Sequence, residues 1–387
     1  MGLAISNQLQ LSLRIDGFEI PLGASPDLRL FINQSCRQLL PTIKINIPDV
    51  ANAFGKTLPV NDGSSIEAEF NDDKRPAFQG SAVFRAFGTP HRQPSGQMML
   101  YNMVGLLDAL PYIRGNPPNS LDGTSVQVMQ NVAKAMNFNY VGNVATNDQM
   151  MWRPGRKTWG TFTRHTAMHG WISDKSALAT AVDEQRQLHY VDINDLFANA
   201  KVKARIIYGA GAQNATSQQV PNFVATEYRA VNRSGMLNNW HGYGLRMTQH
   251  GINGAVDKFR NITAMKLNNV LDINKDILGQ LAGRARIDLP PIDTGNTHDF
   301  FLQARHHNMR SLATYSQNVY VLVPVTTGLN VFDMVELDAR LGANSPDYSS
   351  SGLYCITNMT RALVNSRYCE RLELTSAGPQ NDNSSLA

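Results

Sequence analysis

His165 and His169 are separated by four positions, a spacing that puts two imidazoles on one face of a helix, where they could share a zinc ion. Thr166, Ala167 and Met168 lie between them, so no glutamate is placed to act as general base. The two read as a surface or capping pair, and no metal is expected. His306 and His307 are adjacent and diverge in either a strand or a helix. Gly55-Lys56-Thr57 ends like a phosphate-binding loop, but Val50 occupies the position of its first glycine. Gly242-Tyr243-Gly244 opens like a dinucleotide fingerprint, with Met247 where the third glycine belongs. Asp72-Asp73 and the Glu67/Glu69 pair read as solvated turn and strand faces, and no Gly-x-Ser-x-Gly elbow occurs. These residues offer no catalytic constellation and no cofactor site, and an enzyme is not expected.

Cys36, Cys355 and Cys369 are too few for a disulfide framework, and an odd count without a secretory signal points to reduced thiols. Cys355 and Cys369 fall on neighbouring predicted strands where they could approach each other, and both read as small core residues.

The elements that would carry these residues change texture twice along the chain. In the first 110 residues Leu11, Leu13 and Ile15 alternate with polar neighbours before Asp16-Gly17, a strong hairpin signal. Ile43, Ile45 and Ile47 alternate until Pro48 ends the run, Ile66, Ala68 and Phe70 repeat the pattern, and strands follow at Phe78–Phe87 and Met98–Val104. After Pro111 helical periodicity takes over. Thr124 or Ser125 can cap a helix whose apolar face is Met129, Val132, Ala133 and Met136, and a second helix runs from Thr158 to about His169. Leu188–Ile193 then reads as a strand. β texture returns at Ala204–Tyr208 and Asn222–Ala230, a Gly/Asn-rich and partly helical stretch follows from about Arg233 to Arg286, and strands resume at Val319–Val323, Val331–Leu337, Leu353–Thr360 and Arg367–Leu374. The order of strands around Ile66, Gly80 and Tyr101 is echoed around Val335, Gly352 and Cys369, a hint of two β-domains of one kind.

With 387 residues there is room for two or three domains. Lys and Arg number 35 against 31 Asp and Glu, a net charge of +4, and the densest basic runs, Arg153–Lys157 and Lys201–Arg205, form no stripe of the kind a nucleic-acid binder needs. No specific nucleic-acid binding is expected. A 42% apolar share supports real cores, while 17% charged residues leave a polar, weakly charged surface of the sort that assemblies bury. No run of about 18 apolar residues predicts a membrane span, and Gly2 with Ser6 matches a myristoylation pattern only loosely.

One succession of segments goes further. Phe78-Gln79-Gly80-Ser81-Ala82-Val83-Phe84 and the strand Met99–Val104 are followed by the capped helix Ser125–Ala133, by Asp148-Gln149-Met150-Met151-Trp152, by the helix around Trp159 and Phe162, and by Leu188–Ile193. This order resembles that of the baseplate hub protein of contractile-tailed bacteriophages, a relative of the spike proteins of type VI secretion systems. The resemblance spans residues 10 to 378 and is best between 78 and 198, whereas 231 to 298 departs from it. It implies a mainly β chain with an α+β middle domain, two tube-type antiparallel β-barrels flanking the mixed domain. The implied division is a first barrel at 1–112, the mixed domain at 113–198, a second barrel made of 199–230 and 299–378, an inserted domain at 231–298 and a flexible tail at 379–387. It further implies a homotrimeric ring in the virion baseplate, assembled in the host cytoplasm. Such a ring joins the hexameric tail tube protein to the trimeric central spike protein, contacts other baseplate proteins and surrounds the DNA channel. Two other readings remain: a tail-associated cell-wall-degrading enzyme, and a carbohydrate-binding module built on Trp152, Trp159 and Trp171, residues that core packing explains better.

Overall fold

The computed structural model describes residues 3–4, 9–20, 28–49, 60–72, 80–88, 90–95, 98–173, 176–209, 220–232, 246–249, 260–262, 286–289, 317–340, 350–364 and 367–376. The chain is mainly β, and the helices among the described residues are gathered between two β regions.

The first region holds β1 (Leu3–Ala4), β2 (Leu9–Ile15), β3 (Phe18–Glu19), β4 (Arg29–Ser35), β5 (Thr42–Asp49), β6 (Ser65–Asp72), β7 (Gly80–Ala86), β8 (His91–Ser95) and β9 (Met98–Leu107). Six of them run in the order β2-β6-β7-β9-β5-β4, every neighbour antiparallel. Alternation is the cause. Leu11, Leu13 and Ile15, then Ile43, Ile45 and Ile47, then Ile66, Ala68 and Phe70 all point to one side, and the sheet curls until they share one core. Asp16 and Gly17, both at positive φ, make the tight turn from β2 to β3. Pro48 does not end β5, which continues to Asp49. Among the described residues the pairing of β5 with β4 stops at Asn46, so Pro48 there has a strand neighbour on one side only, a place where a missing N–H is tolerated.

The middle of the chain supplies α1 (Leu110–Arg114), β10 (Leu121–Gly123), α2 (Ser125–Met136), β11 (Asn139–Gly142), β12 (Met150–Trp152), α3 (Trp159–His169), β13 (Leu178–Val182), β14 (Gln187–Asp192) and α4 (Ile193–Ala198). Thr124 caps α2 in a reciprocal box with Gln127, and Asn137 ends the helix in the left-handed conformation. Of the expected apolar face Met129, Val132 and Ala133 are buried and Met136 is half-buried, and Val128 is buried beside them. The small sheet is ordered β11-β14-β13, with β11 parallel to β14. Ile193, read as the end of a strand, instead opens α4, because Asp192 accepts from Asn194 N–H and caps it.

The last region contains β15 (Val202–Tyr208), β16 (Asn222–Ala225), β17 (Glu227–Asn232), a separate sheet of β18 (Arg246–Gln249), β19 (Arg260–Ile262) and β20 (Arg286–Leu289), and then β21 (Gln317–Val323), β22 (Met334–Ala339), β23 (Gly352–Val364) and β24 (Arg367–Ser376). The helical character expected between 233 and 286 falls outside the described residues, which are strands there. Phe78, Gln79 and the tail from 379 also lie outside them.

Six strands run β15-β22-β23-β24-β21-β17, the same order as in the first region taken strand by strand. β16 passes into β17 across Thr226; β16 pairs with β15 and β17 with β21, which closes the ring. Around this ring of strands the pairing departs from antiparallel at β15, which is parallel to both β16 and β22. It enters from the middle domain through α4, and a connection of that length leaves either sense open. Val319, Val321, Val323, Leu372 and Leu374 fill the second core.

β23 joins the two regions. Its first residues pair with β22, its register shifts between Ile356 and Asn358, and its outer half pairs with β4 from Asn358–Ser35 to Val364–Arg29. The tip of the β23–β24 hairpin puts Leu363 and Tyr368 into the first core, where Tyr368 meets Phe70 edge-on at 6.4 Å.

Candidate functional site

The residues marked out by sequence do not come together. His165 and His169 do sit on one face of α3, ring centroids 4.4 Å apart. Burial, aided by Lys157, lowers His165 to about 4, so its ring is neutral at pH 7. Two imidazoles are fewer than the ligands zinc requires, and among the described residues no three His, Cys, Asp or Glu side chains converge. Cys355 and Cys369 do not approach each other. Cys355 lies opposite Thr375 and Cys369 opposite Ala362, toward opposite ends of the β23–β24 ladder. The thiol that acts on Cys355 is Cys36, whose N–H donates to Thr357 O at 3.1 Å. Burial pushes Cys355 and Cys369 up, which keeps both thiols protonated and unreactive. Trp152 is a core residue whose Nε1 donates to Gly123 O at 2.9 Å.

The arrangement that most resembles a nucleophile with its partners went unnoticed in the sequence. Tyr190 Oη donates to Ser125 Oγ at 3.0 Å, and Asp148 accepts from Ser125 N–H and Trp171 N–H, both at 2.8 Å. Ser125, Asp148 and Tyr190 are fully buried. A Cβ at Gly170 would stand 2.5 Å from Tyr190 Oη and 2.9 Å from Ser125 Oγ, so nothing larger than hydrogen fits beside them. The carboxylate anchors the first turn of α2, where an anion is favoured by the free N–H groups.

The richest polar cluster is a joint between the three parts of the chain. Asp183 and Glu184 follow β13, and Arg186 at positive φ turns the chain back into β14. Asp183 Oδ2 is 2.9 Å from His189 Nε2 and accepts from Asn330 Nδ2 at 2.7 Å, while its Oδ1 accepts from Gln187 N–H at 2.8 Å. Gln34 on β4 donates to Asn330 Oδ1 at 2.9 Å and accepts from Glu184 N–H at 3.2 Å. Beside it Arg361 of β23 meets Glu184 directly and lies 3.8 Å from Glu370 of β24. Glu370 also accepts from Tyr368 Oη at 2.8 Å and from the N–H and hydroxyl of Thr327. Burial raises the Glu370 carboxyl, against the opposing pull of Arg361, Thr327 and Tyr368. A buried network assembled from three directions favours one relative placement of its parts, because separating them leaves buried charge without its counter-charge.

The outer face carries paired charge. Lys203 is 2.6 Å from Asp333, Arg205 lies 3.1 Å from Asp338 and 3.8 Å from Glu336, and Arg340 is 2.8 Å from Asp338. The basic run at 201–205 is therefore interleaved with the acids of β22 and the turn before it, while Arg153 and Arg156 stand exposed after β12.

No family model matches this sequence, and no curated protein is similar to it in sequence. The class is defined by fold: two curled β regions of one strand order around a mixed domain, as the hub family implies. That fold is shared from end to end with solved phage tail proteins. The 43 kDa tail protein of prophage MuSo2 from Shewanella oneidensis superposes with a TM-score of 0.60 at 9% identity, over 95% of this chain and 98% of that one. The tail protein from Neisseria meningitidis MC58 gives 0.58 at 11% identity, over 96% and 98%.

Proposed function

We propose that this chain is a structural subunit of a phage-type tail tip, a hub that forms a trimeric ring between a hexameric tail tube and a trimeric central spike and surrounds the channel for DNA. The observation that carries the reading is the repetition of one strand order in both β regions. Three chains would then present six similar barrels, matching a sixfold partner on one side and a threefold partner on the other. The end-to-end likeness to two tail proteins supports it. In this reading 1–112 and 199–230 with 299–378 are the two tube-type barrels, 113–198 the mixed domain, 231–298 an insertion and 379–387 a tail. The chain acts in the virion after assembly in the host cytoplasm, together with other baseplate proteins, and carries no catalytic activity of its own. The basic residues paired on β15 suit a wall along which DNA passes without being held.

Mass photometry of the purified chain, alone and with its spike partner, tests the reading. Trimers and ring-shaped particle images are expected, and a chain that remains monomeric in both conditions sinks it. Zymograms against cell walls should show no clearing.

A further inference from the structure

The two β regions repeat one another closely enough to be aligned residue by residue. β9 and β24 are each ten residues long, and each is entered through a hairpin with two intervening residues, Ser95 facing Met98 and Val364 facing Arg367. Aligned on these hairpins, β8 corresponds to the outer half of β23. β4 corresponds to β17, since Ile32 faces Ile43 as Ala230 faces Val319, and Ile43 and Val319 face matching positions, Gly105 of β9 and Leu374 of β24. Inside the chain the outer half of β23 is covered by β4. The other two members of the repeat have no such cover: among the described residues β8 has only β9 for a strand neighbour, and β17 only β21.

We infer that β8 of one copy pairs antiparallel with β17 of the next, in the register that the outer half of β23 and β4 use within the chain. His91 then lies opposite Val231, Gln93 opposite Arg229 and Ser95 opposite Glu227. This rests on the ring proposed above and names the surface by which its copies meet. An edge strand is a template for a further strand, and two different edges joined head to tail close into a ring when the rotation allows. Junctions within and between chains would alternate, giving six alike from three chains.

Side-chain exposure points the same way. Phe87, just after β7, donates its N–H to Val104 O at 2.7 Å. The counterparts of Phe87 and Val104 in the second region are Thr357 and Glu373, which are 1% and 6% exposed. The segment after β4 covers those two, through the bond from Cys36 to Thr357 and an Arg37–Glu373 ion pair at 3.2 Å. Phe87 and Val104 are 56% and 42% exposed. Apolar groups left open at positions whose equivalents are buried in a junction are what a second junction would cover.

The double variant Gln93→Cys/Arg229→Cys places one thiol on each edge. Under mild oxidation it should give covalent products of up to three chains on non-reducing gels, whereas either single variant and the pair Gln93→Cys/Lys203→Cys should give none. Phe87→Arg should convert trimer to monomer in light scattering, with circular dichroism and melting temperature unchanged. Trimers that persist in Phe87→Arg, together with no cross-link in the double variant, overturn this interface and leave the ring intact. A wild-type chain that is monomeric even with its spike partner, and a double variant that does not cross-link, overturn both.

Discussion

Gln34 and Asn330 are 296 positions apart and joined by a 2.9 Å hydrogen bond from Nε2 to Oδ1. The same Gln34 side chain accepts from Glu184 N–H, so one amide touches the first barrel, the mixed domain and the second barrel together. The ion pairs of Arg361 with Glu184 and Glu370 extend this contact.

Removing the cation should therefore cost far more than a surface ion pair would. Arg361→Met leaves Glu184 and Glu370 buried without their counter-charge, and a loss of about 3–5 kcal/mol is expected in urea denaturation. Adding Glu184→Gln and Glu370→Gln should return much of it. A loss no larger than about 1 kcal/mol, the value of an exposed pair, would show the joint to be solvated.

The Glu370 carboxyl gives stability a pH dependence of definite sign. Burial raises its folded pKa above the ordinary 4.5, so the folded chain holds this proton more tightly than the unfolded one. The contribution is fully present below 4.5 and is lost as pH rises through the folded value. The stability of the wild type minus that of Glu370→Gln should accordingly fall as pH increases across that window. Melting curves over a pH series measure it, and a difference that grows with pH would contradict the assignment.

Gly170→Ala should destabilise the mixed domain by about 1–3 kcal/mol, the usual cost of overpacking. The new methyl meets Tyr190 Oη and Ser125 Oγ well inside contact distance. Thermal melting shows the size of the loss, and a neutral substitution would mean that the Ser125–Tyr190 contact is looser than described.

Binding to a short DNA duplex should be weak and indifferent to sequence, at or beyond the ~10⁻⁴–10⁻⁶ M range of purely electrostatic contacts at physiological salt. Fluorescence anisotropy tests this. Nanomolar affinity or a clear sequence preference would point to a DNA-binding surface and overturn the passive wall proposed above.

Much of the fold was legible because it rests on local pattern. The alternation of Ile43, Ile45 and Ile47 and the capped helix start at Thr124 or Ser125 depend on neighbours a few residues away, and both are present, with Thr124 as the cap. The joint was not legible. Gln34 follows the buried Leu30 and Ile32 at the strand's two-residue period, but the Asn330 and Glu184 groups that satisfy its amide come from distant segments that no local pattern names. Cys355 and Cys369 were placed correctly on adjacent strands, but only register decides which residues face each other across a ladder. The parallel setting of β15 likewise depends on how the chain re-enters the sheet, which no local pattern records.

The hairpin of β23 and β24 also sets a timetable for synthesis. The first barrel needs Leu363 and Tyr368 in its core and Val364 beside Arg29 along its edge. At about 5–20 residues per second a ribosome takes roughly 20 seconds to a minute to travel from Arg29 to Val364. During that interval β4 has its hydrophobic neighbours on one side only, and the earliest strands made are the ones that wait longest. A chain released before β23 is translated cannot complete its first barrel. Prematurely terminated copies would thus be poorly folded substrates for proteases.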